Sequence, residues 1–355
     1  MSPFNDSERV LSIQSHVSFG YVGGKAAVFP LQLLGYDVDV INTVNFSNHS
    51  GYGRFSGTKA NAADLNGLFQ AMEQNGFLFP SRLLTGYIPG AEALSTVAEL
   101  AQKLQDKYPE LIYLLDPVIG DSGKLYVAAD VIPVYRSMLK RATIITPNWF
   151  EVEVLTDTKI EDRASLQTAL TTLHKTYSVP HVVISSIPLK PWLIDIIPSD
   201  SRPSTPDQDF LLCITSSQNT SSDDVLSEIH ICRIPLIPGY FSGVGDLFSA
   251  LVLAHFKSRT TSTETLPESP LAHATSLALT KTHAILQLTH EYASTLPPED
   301  RTTTDEELDA KEPERKIRRM KGRELRLIQG QDILRGTPEA MGEVRKMHAW
   351  DGFWA

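Results

Sequence analysis

Two glycines and a carboxylate stand at the start of an apolar stretch, in the segment Phe241-Ser242-Gly243-Val244-Gly245-Asp246-Leu247-Phe248. The apolar run predicts a helix, and the first turn of a helix leaves N–H groups unpaired and carries partial positive charge. Gly243, Val244 and Gly245 would therefore stabilise an anion such as a migrating phosphoryl group. Asp246 would accept a proton from an attacking hydroxyl. Taken alone, these residues also fit a glycine turn with Asp246 as a plain helix cap.

Composition and charge limit the classes of protein to which the chain can belong. Its 355 residues are 42% hydrophobic, enough to bury a large core. No apolar run could span a bilayer and the polar start lacks the apolar core of a secretory signal, so we expect a soluble, cytoplasmic protein, with the nucleus as a second compartment. The formal net charge of −10 argues against nucleic-acid and membrane partners. Because Cys213 and Cys232 are the only cysteines, neither a disulfide framework nor a zinc site is predicted.

Apolar runs alternate with helical patterns over the first half of the chain. The runs that predict strands cover 9–14, 37–42, 82–85, 111–116, 142–146 and 181–185. The patterns that predict helices cover 24–34, 60–74, 91–107, 130–140, 149–155 and 165–177. Several runs are apolar throughout, so we predict a mostly parallel sheet with helices on both faces. Two later runs, 210–215 and 228–237, predict a hairpin at one edge with residues 216–224 as its loop.

One domain spanning residues 1–355 accounts for this pattern better than two. We predict surface insertions at 188–209, which is rich in Pro, Ser and Asp, and at 296–321, which has mixed charge and few apolar residues. The second is expected to be solvated and partly disordered. Residues 325–328 suggest a returning edge strand, and the C-terminal tail 340–355 is aromatic without a predicted role.

Polar residues follow the first three apolar runs, where open α/β sheets collect their ligands. Ser15 lies just beyond the first run. The loop Asn45–Gly53, after the second, is dense in polar, aromatic and glycine residues; it suits a small polar aromatic ligand, or is an ordinary turn rich in Asn and Ser. Tyr87 follows the third, where it would cover a ring or be a partly buried surface aromatic.

Acidic residues follow the next two runs. Asp116 and Asp121 emerge from a hydrophobic strand. Because Mg²⁺ is usually held by few carboxylates plus phosphate oxygens and water, both are candidates for ordering a metal–nucleotide complex, although either would also serve to fix a turn. Asn148 and Glu151 end a strand and open a helix, where a glutamate equally suits the helix dipole.

Six segments, in their order along the chain, resemble the pyridoxal kinase branch of the ribokinase-like superfamily. They are Ser-Ile-Gln-Ser-His (12–16), Phe-Ser-Asn-His-Ser-Gly-Tyr (46–52), Leu-Thr-Gly-Tyr (84–87), Asp-Pro-Val-Ile-Gly-Asp (116–121), Thr-Pro-Asn-Trp-Phe-Glu (146–151) and Gly-Val-Gly-Asp-Leu-Phe (243–248). Each is weak alone, whereas the ordered set is specific. The resemblance implies a ribokinase-like three-layer α/β/α sandwich with antiparallel edge strands. It also implies transfer of the ATP γ-phosphate to the 5′-hydroxymethyl group of pyridoxal, pyridoxine or pyridoxamine.

The resemblance implies a role for each matching residue. Asp246 would be the general base, and Gly243, Val244 and Gly245 would form the turn that stabilises the transferring phosphate. The pyridine substrate would be bound by Ser15, Ser50 and Tyr87, with Val22, Val44, Phe46 and His49 lining the same pocket. The nucleotide and metal side would comprise Asp116, Asp121, Tyr126, Thr146, Asn148, Glu151, Ser185 and Ser186.

Ions, a flap and a dimer are implied in the same way. Mg²⁺ and ATP would lie near Asp116, Asp121 and Glu151, and a monovalent cation such as K⁺ near Thr146. Residues 122–126 would form a mobile flap over ATP. The relatives also imply a homodimer.

The sequence departs from the family at two positions and leaves rival functions open. Val244 stands where some relatives carry threonine, so the backbone N–H is kept and a hydroxyl contact to the nucleotide is lost; Ser50 also replaces a threonine but keeps the hydroxyl. One rival is a related kinase of hydroxymethylpyrimidine or of a sugar, although the glycine-pair start of many sugar kinases is not apparent. The other is a non-catalytic vitamin or nucleotide sensor, against which the intact Asp246 argues.

Overall fold

One large sheet forms the middle layer of the protein. The computed structural model describes residues 8–202, 209–218, 226–257 and 269–355. Its strands are β1 (Arg9–Val17), β2 (Asp37–Phe46), β3 (Gly57–Lys59), β4 (Arg82–Thr85), β5 (Ile112–Leu115), β6 (Gly120–Asp121), β7 (Lys124–Leu125), β8 (Ile144–Ile145), β9 (His181–Pro188), β10 (Phe210–Gln218), β11 (Ser227–Pro235) and β12 (His348–Ala349). Within these residues, ten strands join in the order β12-β11-β10-β9-β8-β5-β4-β1-β2-β3, and β6 pairs with β7 separately. The pairs from β2 across to β9 are parallel and those at both edges antiparallel, which confirms the predicted sheet.

Helices cover both faces of the sheet. They are α1 (Gly24–Leu33), α2 (Ala62–Gln74), α3 (Ala91–Lys107), α4 (Val131–Leu139), α5 (Trp149–Thr156), α6 (Arg163–Thr171), α7 (Pro191–Ile196), α8 (Val244–His255), α9 (Pro270–Thr295), α10 (Glu306–Lys311), α11 (Pro313–Gly322), α12 (Gln331–Arg335) and α13 (Pro338–Met341). Helices α2 to α6 pack on one face, and α1, α8, α9 and α12 on the other. The three-layer α/β/α sandwich is thereby confirmed. No helix among the described residues combines the length and apolar composition needed to cross a bilayer.

The central strands are apolar on both faces because each face carries a helical layer. Leu83 and Leu84 are neighbours in β4, and both are fully buried. Successive strand side chains point to opposite faces, so Leu83 packs under α2 and α3 while Leu84 packs under α1 and α8. Burial of each such side chain contributes roughly 1.5–3 kcal/mol. The uninterrupted apolar runs in the sequence follow from this arrangement.

The antiparallel edges are longer than the sequence predicted. β10 and β11 pair along their whole lengths, which confirms the hairpin but moves its strand ends to Gln218 and Ser227. Residues 219–225, within and next to the predicted loop, lie outside the described residues. At the opposite edge β3 adds an antiparallel strand that the sequence did not predict.

The aromatic tail completes the sheet edge and packs against it. β12 pairs antiparallel with β11, and the Trp350 N–H donates to the Ile229 carbonyl at 2.8 Å. Phe353 is 1% exposed. Arg163 Nε donates to the Phe353 carbonyl at 2.9 Å, and Trp354 Nε1 donates to the Ser227 carbonyl at 2.9 Å. The tail is therefore part of the folded core.

The charged segment 296–321 is helical where we expected a partly disordered excursion, so that expectation was wrong. Its helices α10 and α11 bring opposite charges together: Asp309 Oδ1 lies 2.9 Å from Arg315 Nη1 and 3.0 Å from Arg319 Nη1. The side chains of Asp309 and Arg319 are 8% and 4% exposed. Charges are buried at acceptable cost only when they are paired and hydrogen-bonded, and here a folded pair of helices supplies the partners.

Two other predicted features differ from the structure. Residues 325–328 contain no strand, and 327 and 328 lie in a turn, so the predicted edge strand was wrong. β12 occupies the edge beside β11, and Leu325 and Leu327 are buried on the α9 side of the sheet. The segment 188–209 contains α7, whose Leu193 is fully buried, although residues 203–208 lie outside the described residues. Whether 188–209 and 296–321 are insertions relative to other kinases stays a prediction.

A buried lysine on α9 provides a pH-dependent test of this packing. Lys281 is 2% exposed; its Nζ donates to the Leu334 carbonyl at 2.7 Å and lies 3.0 Å from His255 Nε2. Burial lowers the pKa of Lys281 from 10.5 to about 8. Between these pH values the unfolded chain binds more protons at Lys281 than the folded chain does. The contribution of Lys281 to the free energy of unfolding therefore increases as the pH rises from about 8 to 10.5.

Lys281→Met is expected to remove this gain. The difference in unfolding free energy, wild type minus variant, should increase between pH 8 and 10.5, because methionine fills similar space without titrating. His255 does not contribute there, since burial and the Lys281 charge lower its pKa to about 3. Urea unfolding of both proteins across this range measures the difference; a pH-independent difference would contradict the prediction.

Candidate active site

The glycine turn before α8 is shaped as a site for an anion. Gly243 has φ of 77°, in the left-handed region, and a Cβ built there would lie 1.9 Å from the Tyr21 carbonyl oxygen. Only glycine fits both conditions. Helix α8 begins at Val244, and Gly245 is exposed with open space around its Cα. The turn therefore presents unpaired N–H groups at the positive end of a helix.

Asp246 is held beside this turn by the loop that follows β1. The Gly23 N–H donates to Asp246 Oδ2 at 2.7 Å. A Cβ at Gly23 would lie 2.2 Å from Ser15 Oγ, so Ser15 and Asp246 both lie next to Gly23. Burial raises the pKa of Asp246, and the Gly23 hydrogen bond offsets part of that rise. A carboxylate with a raised pKa is a better proton acceptor for an alcohol.

Residues predicted to bind a pyridine ring lie on neighbouring strand ends. Ser15 pairs with Val44 across β1 and β2, beyond a register shift at Gln14 that re-aims the strand. Val44 is 1% exposed, so its side chain is buried in the packed interior. The Tyr87 carbonyl accepts a hydrogen bond from Thr43 Oγ1 at 2.7 Å, next to Val44. The ends of β1, β2 and β4 therefore converge.

The remaining predicted pocket residues lie in the adjoining loops. Val22 is half-buried and precedes Gly23, and Phe46 ends β2 with its ring 5.1 Å from that of Phe55. His49 caps a short 3-10 helix by accepting the Gly51 N–H at Nδ1, 3.2 Å away. Ser50 starts that helix and is exposed.

A buried polar cluster lies behind Asp246. Ser249 Oγ donates to Asp116 Oδ2 at 3.0 Å, and Thr146 Oγ1 lies 2.8 Å from Ser249 Oγ. Because the Ser249 hydroxyl proton goes to Asp116, Thr146 is the donor in the second bond. Burial raises the pKa of Asp116 well above its usual range, and the charges of Glu151 and Asp246 add to the rise. Three carboxylates therefore lie close enough to repel one another, as they would around bound cations.

Glu151 and Asn148 fix the loop that leads to the β6–β7 hairpin. They form a reciprocal capping box at the start of α5, and Glu151 Oε1 also accepts the Ile119 N–H at 2.9 Å. Asn148 Nδ2 donates to the Gly120 carbonyl at 2.8 Å. Burial raises the pKa of Glu151 to about 7 despite these N–H bonds, and the charge of Asp121 adds to the rise. The capping box thus gives Glu151 the structural role that the sequence left open beside a role on the nucleotide side.

The predicted flap is a tight hairpin formed by β6 and β7. Its turn residues Ser122 and Gly123 have φ of 50° and 79°, the left-handed pair typical of a two-residue hairpin turn. Asp121 Oδ1 accepts the Ser122 N–H at 2.7 Å. Tyr126 follows the hairpin and is 53% exposed. Its two strands of two residues each pair only with one another and lie outside the main sheet.

Ser185 and Ser186 lie at a bulge in β9. Ile184 and Ile187 of β9 face Ile214 and Leu212 of β10, so two residues oppose one at this point. The Ser185 N–H donates to the Pro147 carbonyl at 3.0 Å, next to Thr146 and Asn148. The predicted nucleotide-side residues that follow β8 are thus adjacent to those in β9.

Comparisons with known proteins agree with this arrangement. The family model for phosphomethylpyrimidine kinase matches residues 80–205. A pyridoxal kinase of Arabidopsis thaliana is 43% identical over 250 residues, covering 70% of this chain and 74% of the relative. A putative pyridoxal kinase of Schizosaccharomyces pombe is 38% identical over 299 residues, covering 83% and 90%. The chain belongs to the pyridoxal kinase family. A solved pyridoxal kinase from Leishmania donovani in complex with ADP and pyridoxamine aligns at TM-score 0.74 and 29% identity, covering 97% of this chain and 99% of that one.

Membership in the pyridoxal kinase family agrees with the resemblance inferred from the six segments. The protein is accordingly a phosphotransferase with an alcohol group as acceptor, and its fold is the ribokinase-like one. The roles of the individual residues come from geometry and motif position together.

The donor set around Asp116 fits a cation held mainly through phosphate oxygens. The described residues contain no group of three or more His, Cys, Asp or Glu arranged to hold a metal by themselves. Asp116 is buried beside Glu151 and Asp246, and only its Oδ2 takes part in the hydrogen bond from Ser249. Mg²⁺ keeps waters and binds one or two carboxylates plus phosphates, so such a site suits it.

Sequence reasoning missed two polar residues of this pyridoxal kinase site. Ser249 follows Asp246 by three residues on α8, so both lie on one helix face; that spacing was a usable signal. Glu324, in contrast, reaches the site from the C-terminal part of the chain, and its carboxylate Oε2 accepts the Tyr21 N–H at 2.8 Å. No local pattern in the sequence marks Glu324.

Proposed function

We propose that this protein transfers the γ-phosphate of ATP to the 5′-hydroxymethyl group of pyridoxal, and also of pyridoxine and pyridoxamine. The observation that carries the proposal is the placement of Asp246 against Gly23, beside Ser15 and one turn of helix from Gly243. A proton acceptor, a substrate-side hydroxyl and an anion-binding turn thus meet at one point. The pyridoxal kinase relatives, and the solved kinase with ADP and pyridoxamine, support the choice of substrates.

In this reaction the chain's own residues align the reactants and stabilise charge. The hydroxyl oxygen forms a bond to the γ-phosphorus as the bond to the β–γ bridging oxygen breaks, the proton passes to Asp246, and ADP leaves. The N–H groups of Gly243, Val244 and Gly245 stabilise the phosphoryl oxygens during transfer. The vitamin is enclosed by residues of the loops and strand ends after β1, β2 and β4, namely Ser15, Val22, Val44, Phe46, His49, Ser50 and Tyr87. Tyr126, Asn148, Ser185 and Ser186 lie on the nucleotide side.

We propose that Asp116, Asp121 and Glu151 hold Mg²⁺ with the nucleotide and that Thr146 lies next to a monovalent cation such as K⁺. Cations there would offset the phosphate charge during transfer. Burial and the charges of Glu151 and Asp246 raise the pKa of Asp116. This supports a cation at this position, because a nearby positive charge would stabilise the ionised forms of Asp116, Glu151 and Asp246.

Phosphorylation of hydroxymethylpyrimidine is the second candidate activity, because the matching family model is that of phosphomethylpyrimidine kinase. A coupled assay of ADP formation distinguishes the two. We expect kcat/KM for pyridoxal to exceed that for hydroxymethylpyrimidine and ribose by at least about tenfold, since a pocket built around the polar groups of one ring rejects analogues that lack them. A higher kcat/KM for either rival alcohol would replace the proposed substrate, and binding of pyridoxal without turnover would indicate a sensor.

We further propose a cytoplasmic homodimer. Cys213 and Cys232 are buried as thiols, which suits a reducing compartment. Sedimentation equilibrium of the full chain and fractionation of cells test the two parts separately. A monomer, or a protein found only outside the cytoplasm and the nucleus, would contradict the corresponding part.

A further inference from the structure

Glu324 joins two loops of the site from a distant part of the chain. It lies just after α11, with its side chain 12% exposed. Its Oε2 accepts the Tyr21 N–H at 2.8 Å, and its Oε1 accepts the Tyr52 hydroxyl at 2.7 Å and lies 3.3 Å from His49 Nε2. Tyr21 belongs to the loop after β1, whereas His49 and Tyr52 belong to the loop after β2. One carboxylate therefore links both.

The contacts with His49 and Tyr52 define how the second loop is presented. Because His49 Nδ1 accepts the Gly51 N–H, the ring proton lies on Nε2 and is donated to Glu324. The His49 and Tyr52 rings pack with centroids 4.7 Å apart. Ser50 lies between these two anchored residues. The backbone that carries Ser50 is consequently held on both sides by the anchored residues.

The contact with Tyr21 constrains the loop that carries the catalytic contacts. The Tyr21 carbonyl is the atom against which Gly243 packs, and Gly23, two residues on, donates to Asp246. Gly20 also packs closely against Glu324, because a Cβ built at Gly20 would lie 2.5 Å from Glu324 Oε1. The loop is thus held at Tyr21 by Glu324 and at Gly23 by Asp246.

The chemistry of the anchor requires an ionised carboxylate. Three donors converge on the Glu324 oxygens: the Tyr21 N–H, the Tyr52 hydroxyl and the His49 Nε2–H. A carboxylate has acceptor sites for all three. Burial raises the pKa of Glu324, but the hydrogen bonds from His49, Tyr52 and Tyr21 outweigh it and leave the pKa below its ordinary value. In a glutamine at this position, the NH2 group would face at least one of these donors, so at least one of the hydrogen bonds would be lost.

We propose that Glu324 is a positioning residue for the vitamin pocket, which sets the relative placement of the loops after β1 and β2 and thereby the affinity for pyridoxal. The inference rests on the proposed function. Helices α10 and α11 support this role, because α11 packs on the short helix Ser50–Tyr52 and a Cβ at Gly51 would lie 3.1 Å from Met320 Cε. The charged segment before Glu324 then serves to deliver it to the site.

The test compares Glu324→Ala, Glu324→Gln and Tyr52→Phe with wild type, with Glu314→Ala as the control for loss of an exposed carboxylate on α11. We expect Glu324→Ala to raise KM for pyridoxal by about tenfold to a hundredfold, because it leaves buried donors unpaired at the pocket wall. Glu324→Gln should raise it less, and the KM for ATP should change less than about threefold in both variants, since no nucleotide-side residue touches Glu324. Glu314→Ala should match wild type.

Tyr52→Phe removes one donor and leaves the carboxylate in place, so it tests the inference even if Glu324→Ala fails to fold. When Tyr52→Phe is made in the wild-type protein, we expect KM for pyridoxal to rise about three- to tenfold. When it is made in the Glu324→Ala variant, and that variant folds, the further rise should be smaller, because both substitutions break the same contact. A purely structural role would lower kcat per mole of total protein and leave both KM values unchanged, and that result would overturn the inference. Absence of pyridoxal phosphorylation by wild type would instead reject the proposed function.

Discussion

Asp246→Asn is expected to lower kcat for pyridoxal phosphorylation on the order of a hundredfold or more. The asparagine oxygen can still accept the Gly23 N–H that now donates to Asp246 Oδ2 at 2.7 Å, so the loop after β1 keeps its position. What is lost is the group that takes up the hydroxyl proton. The KM values for pyridoxal and ATP should therefore change far less than kcat. Steady-state kinetics with each substrate varied separately measures both effects.

Asp106→Asn is a suitable control for the Asp246 experiment. Asp106 is an exposed carboxylate on α3 that pairs with Arg141 at the surface. Its substitution should leave kcat unchanged and the stability within about 0.5 kcal/mol of wild type. If Asp246→Asn kept wild-type kcat, Asp246 would not be the base, and its carboxylate would only hold the loop after β1 through the Gly23 N–H.

Gly243→Ala is expected to lower kcat by about a hundredfold to a thousandfold, the loss that follows when a preorganised N–H donor is displaced. The added Cβ would lie 1.9 Å from the Tyr21 carbonyl oxygen, and the φ of 77° is strained for alanine. The turn or the loop at Tyr21 must shift, which moves the N–H groups away from the phosphate. Kinetics together with the thermal unfolding midpoint separate this loss from general unfolding.

Two other glycines make the Gly243 result interpretable. A Cβ at Gly67, in α2, would meet nothing within 4 Å, so Gly67→Ala should keep wild-type activity and stabilise the helix slightly. Gly245→Ala keeps its N–H and meets no protein atom within 4 Å, so we expect a smaller loss than at Gly243. Equal activity of Gly243→Ala and wild type would mean that the turn does not position the phosphate.

The sequence alone determined the layers of the fold and the strand ends at which the candidate site lies. Runs such as Ile112–Leu115 are apolar at consecutive positions because helices cover both faces, so alternation of strand and helix could be read locally. In a parallel sheet the carboxyl ends of the strands share one edge, so Ser15, Tyr87 and Asp116 could be assigned to one region before any contact was known. The ordered motifs then indicated the chemistry, and the family comparisons confirm that assignment.

The tertiary structure alone decided which side chains hold the site in place. Glu324 and Tyr21, which are joined by a hydrogen bond, are 303 positions apart in the sequence. Asp309 contacts Arg319 only because α10 folds onto α11. A charged run of this kind has the same composition whether its charges face water or one another, so we predicted disorder where there are helices. Hydrogen bonds between distant residues depend on how elements are packed, and that packing leaves no period or spacing in the local sequence.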